Sequence, residues 1–287
     1  MKGITEYQNE KNGFYVIQLH YSCDPERDPD TPEGKAWIAR EKQKYDTEAD
    51  WRKEQEIDWG ALSGELVYPT FGEHNIIEPF EPPKHWTRYR CIDPGLRVPC
   101  AVLWCAVDPE GNHYYYLEHY VKEKTIDWHC KRIKEYELWD IPEQKENIHK
   151  KLIDPASFAR SPIDKRTLAG EFASFGIICD PANNDKFKGI QRIRRLLKPD
   201  KKTGLPRIFI CRHLVNLINE MKEYRYPELT AIVAERKDES EDPKKKNDHL
   251  LDCMRYIENA NPQYIKIIKR KHKREDLHSW DGMSTGY

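Results

Sequence analysis

The chain has 287 residues, 38% of them hydrophobic and 34% charged, which is enough for one large domain or two small ones. Its net charge of −1 hides an uneven distribution, because residues 1–85 hold 10 Lys and Arg against 18 Asp and Glu, whereas residues 86–260 hold 32 against 28. No apolar run approaches the roughly 18 residues of a membrane span, and no apolar signal segment opens the chain. We therefore expect a soluble, cytoplasmic protein and not a membrane or secreted one.

The first 85 residues predict an extension with little regular structure. Residues 14–20 have the alternating apolar pattern of a strand, and residues 33–57 space their apolar side chains as a helix does. Residues 64–84 are rich in proline, which is typical of an irregular connector. We therefore expect residues 1–85 to be a linker or N-terminal extension.

From residue 86 the pattern indicates a mixed α/β domain. Three strands are predicted first, at 87–93, 100–107 and 113–120, followed by a helix at 125–138 and a strand that leads into Asp154. The remaining predicted elements are helices at 165–175, 186–198, 212–223 and 248–259, with strands at 177–179 and 206–211. Three consecutive strands followed by alternating helices and strands fit a ribonuclease-H-like mixed sheet with flanking helices. We assign this domain to residues 86–262 and a basic, flexible tail to 263–287.

Eight cysteines occur without a Cys-x-x-Cys pair. Most lie in or beside apolar runs, so we expect reduced cysteines in the core of a cytosolic protein. The alternative is a zinc site built from Cys100, Cys105, His129 or Cys130, but the spacing of these residues is poor for one.

Acidic residues stand at the ends of two predicted strands. Asp93 lies in Asp93-Pro94-Gly95, and Asp154 is followed directly by Pro155. Each aspartate could be a plain turn former, since Asp side chains hydrogen-bond the backbone of turns. Glu118, near the end of the third strand, could support a site or could be a surface glutamate.

A third acidic motif opens the last predicted helix. Asp248 could simply cap that helix, but capping does not explain Asp252 one turn later. Residues four apart share a helix face, where two like charges repel unless a cation lies near them. His249 can reach the same rim and could bind metal, orient water or cap the helix.

Carboxylates from two strand ends and a helix start form an oxygen-rich set suited to hard divalent cations such as Mg²⁺ or Mn²⁺. Two such ions held close together can cleave a phosphodiester. The pattern therefore predicts a metal-dependent nuclease.

These motifs resemble the C-terminal nuclease domain of tailed-bacteriophage terminase large subunits. The resemblance rests on Asp93-Pro94-Gly95, Asp154-Pro155-Ala156 and the stretch Asn247–Asp252 with Arg255-Tyr256, and it extends from about Gly13 to the C-terminus. It implies a ribonuclease-H-like fold and a two-metal endonuclease that cuts concatemeric viral DNA during packaging. The implied catalytic residues are Asp93, Asp154, Asp252 and His249, and the implied metal ligands are Asp93, Asp154, Asp252 and Asp248. Asp180, which repeats the Asp-Pro pattern, is the alternative second ligand.

Basic residues could hold a DNA backbone near this site. Lys188, Arg192 and Arg195 are predicted on one face of the helix at 186–198, although such a face can also be merely solvated. Lys244, Lys245 and Lys246 directly precede the third acidic motif, where phosphate contact is more plausible. Neither feature reads base edges, so little sequence specificity is expected.

By the resemblance, the partners would be double-stranded DNA, the portal protein, the small terminase subunit and an ATPase motor domain, in an infected or lysogenic bacterial cell. The sequence contains no phosphate-cradling loop of the kind an ATPase needs, so ATP-driven packaging is not expected of this chain alone. The competing hypotheses are another ribonuclease-H-like enzyme, such as a transposase or junction resolvase, and a catalytically silent packaging adaptor.

Overall fold

The fold is built on a seven-stranded sheet. The computed structural model describes residues 3–8, 15–45, 48–57, 64–95, 98–141, 145–160, 166–200, 203–227, 243 and 248–266. The sheet has the order β3-β9-β6-β5-β4-β7-β8, and a separate antiparallel pair, β1-β2, precedes it. The strands are β1 Ile4–Gln8, β2 Tyr15–Leu19, β3 Ile76–Ile77, β4 Thr87–Asp93, β5 Cys100–Val107, β6 His113–Val121, β7 Ile148–Ile153, β8 Asp180–Pro181 and β9 Ile208–Cys211.

Seven α-helices accompany these strands in the described residues. They are α1 Pro32–Lys42, α2 Glu48–Glu54, α3 Ile126–Tyr136, α4 Leu168–Ser174, α5 Lys186–Leu197, α6 Val215–Glu223 and α7 His249–Asn259. Helix α7 packs on β4 and β5 and contacts α5 and α6, whereas α3 contacts α4. None of the described helices combines the length and apolar character that crossing a membrane requires.

The sheet topology confirms the predicted mixed α/β fold. Strands β4, β5 and β6 are antiparallel neighbours, and the β5–β6 connection turns at Gly111, whose φ of 80° suits glycine. Strand β7 then lies parallel to β4, β8 parallel to β7 and β9 parallel to β6. Three antiparallel strands followed by parallel ones are the ribonuclease-H-like arrangement that the element order predicted.

Two predicted elements differ from the structure. The strand predicted at 177–179 is wrong. Ile177 is buried, and its backbone N–H donates to the carbonyl oxygen of Phe172 in α4, whereas pairing with β7 begins only at Asp180. The helix expected over 33–57 is divided into α1 and α2. This division lets the ring centroids of Trp37 and Trp51 lie 6.2 Å apart, and Trp51 is buried.

The expected connector at 64–84 lies against the seven-stranded sheet. Its side chains Val67, Tyr68 and Ile76 are buried in the main core, and its short strand β3 pairs with β9 at the sheet edge. Proline-rich backbone can therefore remain irregular and still supply core side chains. The domain boundary at residue 85 stays a prediction.

Candidate metal centre

Two predicted aspartates lie side by side at one end of the sheet. Asp93 ends β4 and Asp154 directly follows β7, and these parallel strands pair Ile92 with Ile153. The backbone N–H of Asp154 donates to the carbonyl oxygen of Ile92 at 2.9 Å. Residues that stand directly opposite each other on paired strands point to the same face of the sheet. Asp93 and Asp154 stand opposite each other, so both carboxyl groups lie on one side of the sheet.

Helix α7 brings the third acidic motif to the same place. His249 Nδ1 donates to Asp93 Oδ2 at 2.8 Å, which ties the first turn of the helix to the end of β4. Asp252 follows one turn later and is close enough to raise the pKa of Asp93. We call Asp93, Asp154, Asp248 and Asp252 the acidic cluster.

Neighbouring side chains hold the carboxylates in position. Tyr256 donates its hydroxyl to Asp154 Oδ1 at 2.8 Å, and Arg255 Nη2 donates to Asp252 Oδ1 at 2.6 Å. Arg255 Nη1 also donates to the side-chain oxygen of Asn184 at 2.9 Å. One turn of α7 therefore orients two carboxylates that come from different parts of the chain.

Turn and cap roles do not account for these aspartates. Asp248 and Asp154 stand at the cap positions of α7 and of a 3-10 turn, yet neither side chain makes a capping hydrogen bond. Asp93 bonds to His249.

Electrostatics in the cluster favour a bound cation. Burial raises the pKa of Asp93, and the nearby Asp252 and Asp154 raise it further, although His249 partly offsets them. Burial and Asp252 likewise raise the pKa of Asp248. The hydrogen bond to Asp93 raises the pKa of His249. Burial and, to a smaller extent, the neighbouring carboxylates disfavour these negative charges, and a divalent cation would offset both costs.

The donor chemistry of the cluster fits hard divalent ions. Within the described residues, Asp93, Asp154 and Asp252 each have one carboxylate oxygen held by a neighbour, and no hydrogen bond reaches the other oxygen. No three residues of the acidic cluster have carboxylate oxygens that all lie within 4.8 Å of one another. A site for two ions about 3.5–4 Å apart spreads its ligands more widely than a site for one.

The other predicted site residues have varied surroundings. Asp180 is exposed on the outer strand β8, so Asp154 and not Asp180 adjoins Asp93. Glu118 accepts hydrogen bonds from the backbone N–H groups of Asn216 and Leu217 and therefore caps α6.

The predicted basic residues divide into three groups. Lys188 and Arg195 are exposed on α5, whereas Arg192 donates its Nε to the buried Glu258 at 2.9 Å. Lys244, Lys245 and Lys246 lie outside the described residues. The predicted basic tail also lies outside the described residues from residue 267 onward.

Glu220 supports the site from α6 and was not predicted from the sequence. Its Oε2 accepts the backbone N–H groups of Leu250 and Leu251 at 2.9 Å, so it caps α7 from outside the helix. Glu220 also lines a cleft of about 570 Å³ together with Tyr120, whose ring lies 6.3 Å from His249. The available signal was a carboxylate between Leu217 and Met221 in the apolar stripe of α6.

Glu220 predicts a measurable pH dependence of stability. Burial raises its pKa to about 8 from an ordinary 4.5, although the N–H groups of Leu251 and Leu250 partly oppose this. The unfolded chain therefore loses this proton at lower pH than the folded protein does, and folding weakens as pH rises from about 4.5 to 8. In Glu220→Gln, which retains an acceptor oxygen, we expect this loss to disappear. The difference should be on the order of a few kcal/mol in the free energy of unfolding.

Denaturant unfolding between pH 5 and 8 in EDTA would measure this effect. Glu223→Gln, an exposed change on the same helix, is the matched control and should follow the wild type. Parallel pH profiles for wild type and Glu220→Gln would contradict the prediction.

The fold has known relatives among solved structures. The nuclease domain of the P22 large terminase matches with a TM-score of 0.54 and 18% identity, over 70% of this chain and 94% of that chain. The large terminase of the thermophilic bacteriophage D6E matches with a TM-score of 0.58 and 20% identity, over 81% of this chain and 52% of that chain. Neither a protein-family model nor a curated protein matches this sequence.

These likenesses confirm the expected resemblance in its fold: the chain has the ribonuclease-H-like fold of terminase nuclease domains. At identities near 20% they establish the fold alone. The chain corresponds to about half the length of the D6E large terminase.

Proposed function

We propose that this protein is a metal-dependent endonuclease that cuts double-stranded DNA, with concatemeric viral DNA as its substrate during genome packaging. The observation that carries the proposal is the convergence of Asp93, Asp154 and Asp252 from β4, the end of β7 and α7. Their pairing with His249, Tyr256 and Arg255 supports a preorganised ligand set.

Two Mg²⁺ or Mn²⁺ ions are the proposed cofactors, held by Asp93, Asp154 and Asp252, with Asp248 as a further ligand. When bound, these ions would activate a water for attack on phosphorus and stabilise the leaving oxygen. The protein contributes the positions of the carboxylates. His249 fixes the Asp93 carboxyl group by donating its Nδ1–H, and this hydrogen bond raises the pKa of His249.

The exposed basic side chains of α5 are the proposed contact for the DNA backbone. Gly189 lets α5 approach α7 closely, because a Cβ there would lie 2.3 Å from Cγ of Arg255. Lys188, next to Gly189, and Arg195, two turns later, are exposed and can meet phosphates. We assign the same role to Lys244, Lys245 and Lys246 from the sequence alone. Arg192 contributes less, because Glu258 already holds its guanidinium.

The proposed partners follow from the fold's relatives. The D6E protein is a large terminase about twice the matched length, so an ATPase motor domain, the portal protein and the small terminase subunit are proposed partners for this chain. A transposase or junction resolvase is the second candidate, because it would use the same acidic set on a different DNA shape. A catalytically silent adaptor is the third.

Cleavage of supercoiled plasmid tests the proposal. We expect nicking and linearisation with Mg²⁺ or Mn²⁺, none with EDTA, and a loss of at least about a hundredfold in Asp154→Asn, above the effect typical of an outer-shell partner. Asp180→Asn is the matched control on the neighbouring strand and should cleave as the wild type does. A four-way junction cut in preference to plasmid would favour a resolvase, and folded protein inactive with every metal would favour the adaptor.

A further inference from the structure

A second set of metal-binding side chains lies apart from the acidic cluster. Cys100 begins β5, His119 lies near the end of β6, and His129 is in the first turn of α3. Their possible ligand atoms all lie within 4.8 Å of one another, and the three residues are at most 2% exposed. We call these residues the Cys–His cluster.

Strand register places the Cys–His cluster on the opposite face of the sheet from the acidic cluster. Asp93 pairs with Ala101, so the adjacent Cys100 points to the other face. His119 pairs with Val102, which shares the face of Cys100. This face is the one covered by α3, since Trp104 packs against Tyr136.

The polar atoms of this cluster are incompletely satisfied. His119 Nε2 and His129 Nδ1 share one hydrogen bond of 2.8 Å. The other ring nitrogen of His119, Nδ1, is buried and has no hydrogen-bond partner among the described residues. His129 Nε2 is likewise buried without a partner among the described residues. Buried imidazoles in packed cores normally find partners for both nitrogens, so two under-satisfied rings within ligand distance of a buried thiol point to a missing ligand.

One thiolate and two imidazoles are the ligands that zinc prefers and that Mg²⁺ and Mn²⁺ do not. We propose that Cys100, His119 and His129 bind one Zn²⁺ ion, with one further ligand completing the tetrahedron. Binding would release the proton of the Cys100 thiol and use one nitrogen of each imidazole ring as a ligand.

Such an ion would join three consecutive elements, β5, β6 and α3. It would fix α3 to the start of β5 and to the end of β6. These strand ends lie beside the end of β4 that carries Asp93, but the ion would lie on the opposite face of the sheet. The proposed role is therefore structural, and it does not depend on the proposed nuclease activity.

Cobalt substitution tests the site directly, because a thiolate bound to Co²⁺ gives a charge-transfer band that carboxylate ligands do not give. We expect purified wild-type protein to bind about one equivalent of Zn²⁺ and, with Co²⁺, to show this band. Cys100→Ser should lose the band and the zinc, whereas Cys105→Ser, a buried change in the same strand, and Asp93→Ala should keep both. Circular dichroism would verify that each variant is folded.

A folded wild-type protein that binds no zinc and shows no cobalt–thiolate band would overturn the proposal. A folded Cys100→Ser protein that retains the band would overturn it as well. The wild-type measurements decide the question even if Cys100→Ser fails to fold.

Discussion

Asp93→Asn is expected to abolish metal-dependent cleavage while leaving the metal-free protein at least as stable as the wild type. Asp93 ends β4 between His249, Asp154 and Asp252, so an amide there removes a proposed metal ligand without changing the shape of the side chain. Burial and the neighbouring carboxylates raise the pKa of Asp93, which means that its charge opposes folding. That cost is absent at low pH, where the wild-type carboxyl is protonated, and present near neutrality. The amide should therefore raise the free energy of unfolding by on the order of 1 kcal/mol near neutral pH.

Denaturant unfolding in EDTA and in Mg²⁺, beside the plasmid assay, measures both halves of this result. Mg²⁺ should stabilise the wild type, by about 2.7 kcal/mol at a hundred times its Kd, and should stabilise Asp93→Asn much less. Asp180→Asn again serves as the control. An active Asp93→Asn protein, or a Mg²⁺ stabilisation equal to that of the wild type, would remove Asp93 from the proposed site.

Local pattern was sufficient to predict most of the fold. Strands β4, β5 and β6 alternate or run continuously apolar between turn residues, so their bounds could be predicted to within a residue. The strand at 177–179 could not, because β8 is two residues long and is defined by its pairing with β7. An apolar residue such as Ile177 indicates burial, and burial alone does not distinguish a strand from a packed loop.

The acidic residues of the site could be proposed from the sequence, but their supports could not. Asp93 and Asp154 stand in short motifs at strand ends, a local signal. Glu220 acts on α7 from another helix, and Cys100 meets His119 only through antiparallel register. Such contacts depend on pairing between distant segments, which spacing along the chain does not encode. The Arg192 assignment shows the same limit, since helical periodicity placed it on the basic face without revealing its buried partner Glu258.

Glu258 predicts the largest effect on stability. Its carboxylate is fully buried near the C-terminal end of α7 and accepts hydrogen bonds from His113 at 2.7 Å, Tyr115 at 2.8 Å and Arg192 at 2.9 Å. Burial alone would raise the pKa of Glu258, but His113 and Arg192 lower it overall. Glu258→Ala would leave these partners without their acceptor and should cost about 3–5 kcal/mol in the free energy of unfolding. Because the folded pKa is lowered, the difference between wild type and Glu258→Ala should be full above pH 4.5 and shrink as pH falls below it.

The ion pair between Arg192 and Glu258 predicts that the basic residues of α5 have different roles, structural for Arg192 and DNA-binding for Arg195. Arg192→Ala should lower the free energy of unfolding, because it removes one charge from a buried pair with Glu258. Arg195→Ala, on the same helix and exposed, should leave stability within about 0.5 kcal/mol and instead weaken DNA binding in a salt-dependent way. Chemical unfolding of both variants, with DNA affinity measured at two salt concentrations, distinguishes these roles. An Arg192→Ala protein of unchanged stability and reduced DNA affinity would show that the guanidinium serves the DNA and that Glu258 holds α7 through His113 and Tyr115.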